Sequence, residues 1–442
     1  MKLNSTAAPK SDTAPKRVCM IANTHYKFDG RVRLEAESLV KWGYEVVFLV
    51  PKAQATPRTY MLEGVIVKEL NVEKYNEKNK LRYLLSYMIF LALAFVACTR
   101  LFFESRVRVI HVHNMPDVLV FAAVIPRLLG CKLVLDLHDT VPETYEAKFG
   151  KISRVVLSAL RLEERVCCAV ADRIICVNHV QREAVIQRGV PGEKIATVIT
   201  MPKFTSEPPS REVSKQDQVF RMVNHGTMSK RLGNDLIIEA VPKLVSEIPG
   251  FELHIIGGGD NLDQLLPLSK SLGVENYVHF HERVPWDKLG EKLRTMDVGI
   301  VANRVNIATD LMLPSKLIDY VVLGIPAIVP RLRAIEYYFS PEMVSYFEPE
   351  NVDSMVAATV RLYRDKMRRE QQPKIARKFL NENRWDDRAK GLRGLYDQLF
   401  NGPTAERLAV ASNDVNAERL QNISATTQTR IQDVEVRSLE KV

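Results

Sequence analysis

Cysteine is sparse in this chain and carries no recognisable pattern. Six cysteines occur in 442 residues, none in a Cys-x-x-Cys pair and none with a histidine neighbour at ligand spacing. Zinc ribbons and disulfide-stapled scaffolds are therefore not expected, and buried, reduced thiols of a cytosolic protein are the natural interpretation. Residues 1–17 also lack an apolar h-region, so no secretory signal peptide is predicted.

Further absences narrow the possible functions. No repeat of fixed period is present, which excludes a solenoid, and no Asp-x-Asp metal signature stands out. The run "IIGGGD" lacks the Gly-x-Gly-x-x-Gly spacing of a dinucleotide site and is interpreted as a chain turn. His111 and His113 alternate on a predicted strand, but the sequence offers them no third ligand, so no metal site is predicted.

The bulk composition is that of a globular protein with an anionic partner. The chain is 46% hydrophobic and 26% charged, and its length suits two domains of ordinary size. A formal net charge of +9 suits phosphate-bearing substrates, nucleic acid or an acidic membrane face. Nucleic acid is disfavoured, because the positive charge is spread along the chain without interleaved aromatic residues.

One apolar segment leaves two interpretations open. Residues 83–98, "YLLSYMIFLALAFVAC", contain no charge and follow the basic stretch "EKNKLRY". The segment is shorter than the ~20 residues that a spanning helix needs. It is either a buried helix of the first domain or a helix half sunk in a membrane leaflet, with Lys78, Lys80 and Arg82 on lipid headgroups.

Apolar strand candidates alternate with helical patterns, which predicts an α/β fold with parallel sheets. A Pro-, Ser- and charge-rich stretch at 200–217 is the predicted linker between two Rossmann-like, doubly wound domains at 16–199 and 218–400. The termini, 1–15 and 401–442, are predicted to be disordered. The two domains are expected to face each other across a cleft, with a C-terminal helix returning to the N-terminal domain. The strands are predicted at 17–23, 45–51, 107–113, 132–139 and 173–177, followed by "FRMVNHG", "ELHIIGGG", "YVHFHERV", "VGIVAN", "PAIVP" and "MVSYFEP".

The stretch "LPSKLIDYVVLGIPAIVP", residues 313–330, is an apolar helix that carries charge. Pro314 suits the first helical turn and Gly324 the position just past the end. A helix that starts at the carboxyl end of a strand can hold an anion, and Lys316 adds a full charge. Asp319, one turn further on, can accept hydrogen bonds from the diol of a ribose. The plainer alternative is an exposed ion pair on a surface helix.

A second loop of the same kind opens the second half. "VNHGTMSKRLGNDLIIEA", residues 223–240, reads as a strand, a loop with Lys230 and Arg231, and a helix capped by Asn234 or Asp235. Two cations before a helix start make a diphosphate clamp, with the planar fork of the arginine suited to phosphate oxygens. A plain solvated turn is the alternative.

These motifs together carry a resemblance. "HGTMSKRLGNDLIIEA", "ELHIIGGGD", "DVGIVAN" and "LPSKLIDYVVLGIP", in that order, resemble the C-terminal half of family-4 glycosyltransferases of the GT-B fold, which are retaining enzymes that use nucleotide sugars. Upstream, "FDGRVRLEAESLVKWGYEVVFLV", "IHVHNMPD" and "LVLDLHDTVPE" are similar to their N-terminal elements. The resemblance covers about residues 15–400.

The resemblance implies a set of donor-binding residues. Lys230 and Arg231 match the basic loop that grips the donor diphosphate, and Asp319 matches the second acid of a Glu-x7-Glu pattern. The first acid is missing, since Leu311 stands there. Either Asp310 takes part of the sugar contact or the chain belongs to a Pro-Ser-Lys-Leu subgroup that manages without it. The implied donor-binding set is Gly30, Gly226, Thr227, Lys230, Arg231, Asp310, Pro314, Ser315, Lys316, Leu317 and Asp319.

The N-terminal half supplies the remaining candidates. His138 matches the cleft histidine that faces the transferred sugar, with its charge expected to depend on the adjacent Asp139; a core histidine is the alternative. Asp29 and Arg31 flank Gly30 in the first loop and, with Asp139, form the predicted acceptor side. The residues predicted to be catalytic are His138, Arg231 and Lys316.

The implied function is transfer of a sugar, with retention, from a UDP- or GDP-sugar to a lipid-linked or membrane-proximal glycan acceptor. It would serve polysaccharide or glycoconjugate biosynthesis without a permanent cofactor or a metal. A cytoplasmic protein held on the inner face of the membrane through residues 78–100 is expected, and the oligomeric state stays open. A sugar-nucleotide epimerase and a non-catalytic nucleotide-sugar-binding subunit are the alternatives.

Overall fold

The computed structural model describes residues 15–54, 56–74, 80–149, 153–199, 201, 218–284 and 286–402. The tails predicted to be disordered and the predicted linker lie outside these residues, except at their edges. Lys78, one of the predicted headgroup contacts, also lies outside them.

The N-terminal domain is an α/β unit. Its strands are β1 (Arg17–Ile21), β2 (Glu45–Lys52), β3 (Thr59–Leu62), β4 (Val65–Glu73), β5 (Val109–His113), β6 (Lys132–Leu137), β7 (Arg173–Cys176) and β8 (Ile195–Thr197). Its helices are α1 (Gly30–Lys41), α2 (Lys80–Ser105), α3 (Val124–Leu128), α4 (Val141–Phe149), α5 (Arg154–Val170) and α6 (His179–Gln187), with 3₁₀ turns at Tyr26–Phe28, Asp117–Ala123 and Gly192–Lys194.

The strands of this domain form one sheet in the order β3-β4-β2-β1-β5-β6-β7-β8, parallel except for the antiparallel β3–β4 pair. The central strands β5 and β6 are buried except for Lys132 at the start of β6, which explains their nearly continuous apolar runs in the sequence. The β3–β4 hairpin was not predicted from the sequence. It turns through Glu63 and Gly64, both with positive φ, at 49° and 80°.

The C-terminal domain repeats the architecture. Its strands are β9 (Phe220–Thr227), β10 (Phe251–Gly258), β11 (Val278–His281), β12 (Val298–Ile300), β13 (Ala327–Pro330) and β14 (Ser345–Phe347). Its helices are α7 (Asn234–Glu247), α8 (Leu262–Ser271), α9 (Trp286–Leu293), α10 (Ile307–Asp310), α11 (Ser315–Leu323), α12 (Arg333–Tyr338), α13 (Val352–Arg364) and α14 (Lys366–Glu382), followed by α15 (Trp385–Asn401) and preceded by a 3₁₀ turn at Lys230–Leu232.

The second sheet is parallel throughout the described residues, in the order β11-β10-β9-β12-β13-β14. The order reverses beside β9, the first strand of the domain, so the loops that leave β9 and β12 lie side by side at the carboxyl end of the sheet. Such a switch point is where open α/β sheets bind ligands. The fold class predicted from the sequence, two Rossmann-like domains of the GT-B type, is confirmed.

The two domains meet through loops at the carboxyl ends of both sheets. Asn178, which follows β7, donates from its side chain to the carbonyl of Leu311 at 2.9 Å. The ring and the backbone N–H of His179 both lie within hydrogen-bond distance of the Tyr338 hydroxyl, at 2.7 and 2.9 Å. Because these loops follow strand ends in both domains, the carboxyl ends of the two sheets face each other.

Helix α15 returns to the N-terminal domain, as predicted. The indole of Trp385 donates to the Ser38 hydroxyl of α1 at 3.0 Å, and the Tyr396 hydroxyl lies 2.6 Å from Nδ1 of His111 on β5. The ring of Tyr44 packs at a tilt against both Tyr396 and Phe400, with ring centroids 5.6 and 5.3 Å apart. The last helix is therefore part of the N-terminal core.

Helix α2 contradicts the interpretation of residues 83–98 as a buried helix. It runs for 26 residues and buries one narrow stripe, Phe90, Ala94, Cys98 and Leu101, against the sheet. The Leu84–Ser105 part of α2 is long and apolar enough to cross a membrane, although the core helices of globular proteins can be equally long and apolar. Only 22% of its most apolar stretch is buried. The exposed face is also apolar from Leu84 to Val96, and the exposed Arg100–Glu104 ion pair lies beyond it near the end of the helix.

Candidate active site

Helix α11 begins and ends where the sequence predicts. Pro314 is its N-cap residue, and Gly324 ends it in the left-handed conformation at φ 68°. The helix is pinned by the buried Tyr320, whose hydroxyl donates to the carbonyls of Val223 on β9 and Ile300 on β12, at 3.0 and 3.3 Å. The first turn of α11 therefore stands directly above the carboxyl ends of two adjacent strands.

Lys316 is buried in that first turn, only 7% exposed. Its Nζ donates to Oδ1 of Asn224 at 2.9 Å, and Nδ2 of Asn224 donates to Oδ1 of Asn234 at 2.5 Å. This chain of polar contacts joins α11, the end of β9 and the start of α7. Burial lowers the pKa of Lys316 to about 8, so a bound anion at this point would hold the ammonium in its charged form.

Asp319 lies one turn further along and keeps a fifth of its side chain exposed. Its Oδ2 is 3.6 Å from Nε2 of His225, the next-but-one residue after Val223 on β9. Burial lowers the pKa of His225 to about 3, helped by the Lys316 charge, so this imidazole is neutral. Burial raises the pKa of Asp319 to about 7. The exposed-pair interpretation fails, since Lys316 is buried and its hydrogen-bond partner is Asn224.

The loop between β9 and α7 supplies the second cation. Gly226 and Thr227 are exposed at the end of β9, and Lys230 is exposed on the 3₁₀ turn. Arg231 is half-buried, and its Nη1 is buried without a hydrogen-bond partner within the described chain. A buried guanidinium nitrogen with no protein acceptor costs free energy that an anionic ligand would recover.

Two glycines let the neighbouring loops come this close. At Gly233, with φ 64°, an added Cβ would lie 2.0 Å from the carbonyl oxygen of Ala302 in the loop after β12. At Gly257, with φ 144°, it would lie 2.0 Å from the carbonyl oxygen of Gly226. Gly257 belongs to β10, so the "IIGGGD" run is a strand end that touches the donor loop and not only a chain turn.

Gly233→Ala is expected to destabilise the C-terminal domain, because the new methyl group meets backbone and the left-handed φ disfavours alanine. The expected cost is roughly 1–3 kcal/mol for strain and overpacking, seen as a lower midpoint in thermal unfolding. Gly391→Ala is the matched control, because nothing lies near its Cβ position and its helix α15 favours alanine. A Gly233→Ala protein that unfolds at the wild-type temperature would contradict the close approach.

The predicted cap of α7 is wrong, and an unpredicted arginine explains why. The N-cap residue is Gly233, with no side-chain cap, because Asn234 is bonded to Asn224 and Asp235 to Arg304. Arg304 reaches Asp235 Oδ2 at 2.6 Å and Glu350 Oε2 at 3.2 Å, and its N–H donates to the Arg231 carbonyl. It braces the cationic loop against the loop after β12.

Two predicted donor contacts are otherwise engaged. Asp310 is buried, accepts from the backbone N–H of Arg333 at 2.8 Å, and lies 3.3 Å from the Nε of the same residue. Its carboxylate therefore serves the start of α12 and not a sugar. The side chain of Leu317 lies in the hydrophobic core, and its N–H donates to the Pro314 carbonyl at 3.1 Å. Ser315, exposed at the first position of α11, remains open to a ligand.

The N-terminal candidates lie at the start of α1. Asp29 caps this helix, accepting from the N–H of Arg31 at 3.3 Å and from the Thr24 hydroxyl at 3.0 Å. Gly30 is its first residue, and Arg31 is exposed. Burial acts against it, but the charges of Arg31 and His138 lower the pKa of Asp29, which shows that the loop and the histidine are electrostatic neighbours.

His138 follows β6 and is 9% exposed. Its partner differs from the predicted one, because the carboxylate at hydrogen-bond distance is Asp136, 2.8 Å from Nε2, and not Asp139. The same Nε2 lies 3.0 Å from Nδ1 of His113. The Asp139 backbone is held by Asn114, whose Nδ2 donates to the Asp139 carbonyl at 2.5 Å. Thus the His138 ring contacts a deeper group of side chains and not the adjacent residue.

Comparisons with known proteins agree with this architecture. A family model described as "Glycosyl transferase 4-like domain" matches residues 31–199, and one described as "Glycosyl transferases group 1" matches residues 220–365. Among solved structures, sucrose-phosphate synthase from Thermosynechococcus elongatus superposes with a TM-score of 0.71 at 16% identity, covering 88% of this chain and all of that one. HepE of Anabaena, solved with UDP-glucose, gives a TM-score of 0.61 at 14% identity, covering 85% and 99%.

A curated relative matches over a shorter stretch. The GDP-mannose-dependent alpha-(1-6)-phosphatidylinositol monomannoside mannosyltransferase of Mycolicibacterium smegmatis is 37% identical over 59 residues. That stretch is 13% of this chain and 15% of the relative's length.

The fold and the site define a two-domain GT-B protein with a cationic helix start at the switch point of its second sheet. The two matched families together account for most of the chain. It belongs to the group 1, family-4 glycosyltransferases.

Proposed function

We propose that the protein is a retaining glycosyltransferase that moves a sugar from a nucleotide sugar to an acceptor held at a membrane. The observation that carries the proposal is the N-terminal half of α11, where buried Lys316 and, one turn later, partly exposed Asp319 stand over the carboxyl ends of β9 and β12. A cation at a helix start followed one turn later by a carboxylate suits a diphosphate joined to a ribose.

The donor diphosphate is assigned to the space between α11 and the loop after β9. Lys316, the first-turn N–H groups of α11 and the unpartnered Nη1 of Arg231 provide positive charge where the leaving group becomes more negative. Such preorganised charge lowers the barrier because it needs no rearrangement during reaction. The expectation that the donor site works without a metal remains a prediction.

The proposed reaction is a front-face displacement. The bond from C1 of the sugar to the diphosphate oxygen breaks, an oxocarbenium-like centre forms, and the acceptor hydroxyl attacks C1 from the same face. Its proton passes to the departing phosphate oxygen. His138, which is 9% exposed at the end of β6, would hold a sugar hydroxyl by hydrogen bonding, and no protein carboxylate acts as nucleophile.

A wide apolar surface supports the membrane-held acceptor. The α2–α5 surface, as we name it, is formed by α2 and α5, which both pack against the 3₁₀ turn Asp117–Ala123. It joins exposed apolar residues with the exposed Arg161 and Arg165, a combination that suits the interface of an anionic lipid layer. Its apolar members are Leu84, Leu85, Met88, Ile89, Val96 and Phe103 on α2, and Val155, Val156, Leu162 and Val166 on α5.

The comparisons support the donor and acceptor classes without choosing among them. HepE was solved with UDP-glucose, and the mycobacterial relative is named for GDP-mannose and for a phosphatidylinositol mannoside, which is a membrane lipid. A cytoplasmic enzyme on the inner face of the membrane, acting in polysaccharide or glycoconjugate assembly, is the setting that we propose.

Asp319→Ala is expected to weaken binding of UDP or GDP by roughly 10- to 100-fold, because the hydrogen bonds that its carboxyl group would accept from the ribose are lost. The loss should be absent for 2′,3′-dideoxy nucleoside diphosphates, which have no ribose hydroxyls, and calorimetry measures both. Asp353→Ala, an exposed carboxylate paired with Lys243, is the matched control. Equal losses for both nucleotides would show that Asp319 does not hold the ribose.

The activity itself is tested with a panel of labelled UDP- and GDP-sugars. Each is incubated with the protein and a membrane lipid extract, and the nucleoside diphosphate released is measured. Release of one nucleoside diphosphate together with a labelled lipid, and retention of the anomeric configuration by NMR, is the expected result. Epimerised donor without transfer would indicate an isomerase. Binding of a nucleotide sugar without any turnover would indicate a binding subunit and refute the proposal.

A further inference from the structure

The N-terminal domain holds a second group of chemistry-bearing side chains beneath His138. Glu35 on α1, His111 and His113 on β5, and Asp136 on β6 each place one ligand atom within 4.8 Å of the others. His111 and His113 share a face of β5, and His113 is paired in register with Asp136 on the neighbouring strand. We refer to these four residues as the buried cluster.

All four members are sealed from solvent, with at most 2% of each residue exposed. Each also has a buried atom without a hydrogen-bond partner in the described part of the chain: Glu35 Oε2, His111 Nε2, His113 Nε2 and Asp136 Oδ1. Buried polar atoms are nearly always satisfied, because an unpaired buried donor or acceptor keeps the full cost of losing its water. Two of these unpartnered atoms, His111 Nε2 and Glu35 Oε2, lie 3.9 Å apart, which points to a missing partner between them.

The distances within the group do not fit hydrogen bonding alone. Oδ2 of Asp136 lies 2.9 Å from Nδ1 of His113 and 2.8 Å from Nε2 of His138, and these two nitrogens are 3.0 Å apart. An imidazole nitrogen carries at most one proton, so two protons cannot bridge three contacts. Lone pairs that converge in this way are characteristic of atoms around a cation.

The remaining two ligands are at a suitable spacing. His111 Nε2 lies 3.6 Å from Asp136 Oδ2 and 3.9 Å from Glu35 Oε2. Bonds of about 2.0–2.1 Å to a tetrahedral zinc ion place neighbouring ligand atoms about 3.3 Å apart, so small movements would close the shell. The separations in the cluster bracket that value from both sides.

A neighbouring hydroxyl can fix the orientation of one ligand. His111 Nδ1 is 2.6 Å from the hydroxyl oxygen of Tyr396, which is buried on α15. With the proton on Nδ1 donated to that oxygen, the lone pair on Nε2 faces the cluster. Metal-bound histidines commonly donate their second ring N–H to such a partner, which sets the tautomer.

We infer that the buried cluster binds one divalent transition-metal ion of the zinc class, with His111, His113, Asp136 and Glu35 as ligands and His138 at its outer edge. The two carboxylates balance the charge of the ion, and imidazole with carboxylate is a donor set that zinc accepts. The ion would join α1, β5 and β6 and, through Tyr396, α15. This inference does not depend on the proposed transferase activity or on the donor site.

The test uses the full chain without a histidine tag. After dialysis against metal-free buffer, elemental analysis is expected to find about one equivalent of zinc or a similar metal per chain. His113→Asn and Glu35→Gln, which keep most of the side-chain shape, are expected to lower metal content at least tenfold. His279→Asn is the matched control, because it removes a histidine from the half-buried Glu252–His254–His279 group in the other domain and should leave the content unchanged.

The unfolding temperature of the wild-type protein provides a second measurement, which does not depend on whether the variants fold. In the wild type, a strong chelator is expected to lower the unfolding temperature, zinc to restore it, and Co²⁺ to give the visible absorption of a low-symmetry site. The inference is overturned if the protein stays metal-free after incubation with zinc and its unfolding temperature ignores zinc and chelator. Loss of the metal in His279→Asn, with retention in His113→Asn, would also overturn it.

Discussion

Lys316→Met is expected to lower kcat by roughly 10²- to 10³-fold, the loss seen when one preorganised charge-stabilising group is removed from a transition state. The ammonium sits in the first turn of α11, held by Asn224, at the point assigned to the leaving diphosphate. Methionine has a similar length and shape without the charge, so the variant removes the electrostatic contribution with little change in packing. Steady-state release of nucleoside diphosphate measures the effect.

The fold should tolerate this change. Burial lowers the pKa of Lys316 to about 8 in the folded protein, against an ordinary value of 10.5, so burying the charged form opposes folding below pH 8. That cost fades as the pH rises from 8 towards 10.5, and methionine removes it at every pH. Removal of this burial cost offsets the loss of the hydrogen bond that Lys316 donates to Asn224. The unfolding temperature is therefore expected to stay near the wild-type value at pH 7.

Lys243→Met supplies the control for Lys316→Met, since it removes an exposed lysine from the pair with Asp353, on a different face of the same domain. It should retain full activity. A Lys316→Met enzyme that works within threefold of the wild type, with the same response to nucleotide concentration, would remove α11 from the donor site.

The second large effect concerns the α2–α5 surface. Leu84→Gln combined with Met88→Gln is expected to reduce binding to vesicles containing phosphatidylglycerol by roughly 100-fold, because each side chain contributes about 1.5–3 kcal/mol when buried. Both residues are exposed and one helical turn apart, so the change leaves the core of the domain intact. Sedimentation with vesicles measures the bound fraction.

A matched pair of substitutions distinguishes membrane binding by α2 from non-specific hydrophobic adsorption. Met367→Gln with Ile375→Gln changes two exposed apolar residues on α14 and should leave vesicle binding unaltered. A wild-type protein that remains in the supernatant contradicts the membrane assignment. If the α2 variant instead abolishes a concentration-dependent dimer in light scattering, the surface covers a second copy of the chain.

Much of the donor side could be predicted from the sequence, because its signals are local. Pro314 and Gly324 mark the two ends of α11 by backbone preference alone, and a helix after a buried strand must begin at the carboxyl end of the sheet. Parallel strands then bring such helix starts to one edge without any knowledge of distant contacts. Arg231 and Lys316 could be placed on neighbouring loops for this reason.

Contacts that depend on pairs of distant residues could not be predicted. A sugar contact of Asp310 stayed one of two alternatives because its actual partner, Arg333, lies 23 positions away and has no sequence signal of its own. The β3–β4 hairpin turns on Glu63-Gly64, which lacks the usual asparagine or aspartate before the glycine. The sequence of α2 does not tell whether its second face is buried or exposed, because both faces are largely apolar.

The histidines of β5 show the same limit from another direction. In the sequence, His111 and His113 stand at strand spacing without a recognisable third ligand, so no metal site was predicted there. Glu35 lies on a helix 76 positions before His111, and Asp136 on the next strand of the sheet, so only the fold brings them together. Two histidines that alternate on a predicted strand, together with an acidic residue on the apolar face of α1, are the sequence signal that could have suggested a metal site.

The path of the chain limits how the enzyme can move. The polypeptide passes from one domain to the other twice, once between residues 201 and 218 and again at Asn383–Arg384, where α14 ends and α15 begins. The second passage is braced by Arg388, whose Nε and Nη2 reach the side-chain oxygen of Asn383 at 3.1 and 2.6 Å. A chain that crosses twice restricts the relative motion of two domains more than a single linker does, so we expect the halves to open and close rather than to rotate freely.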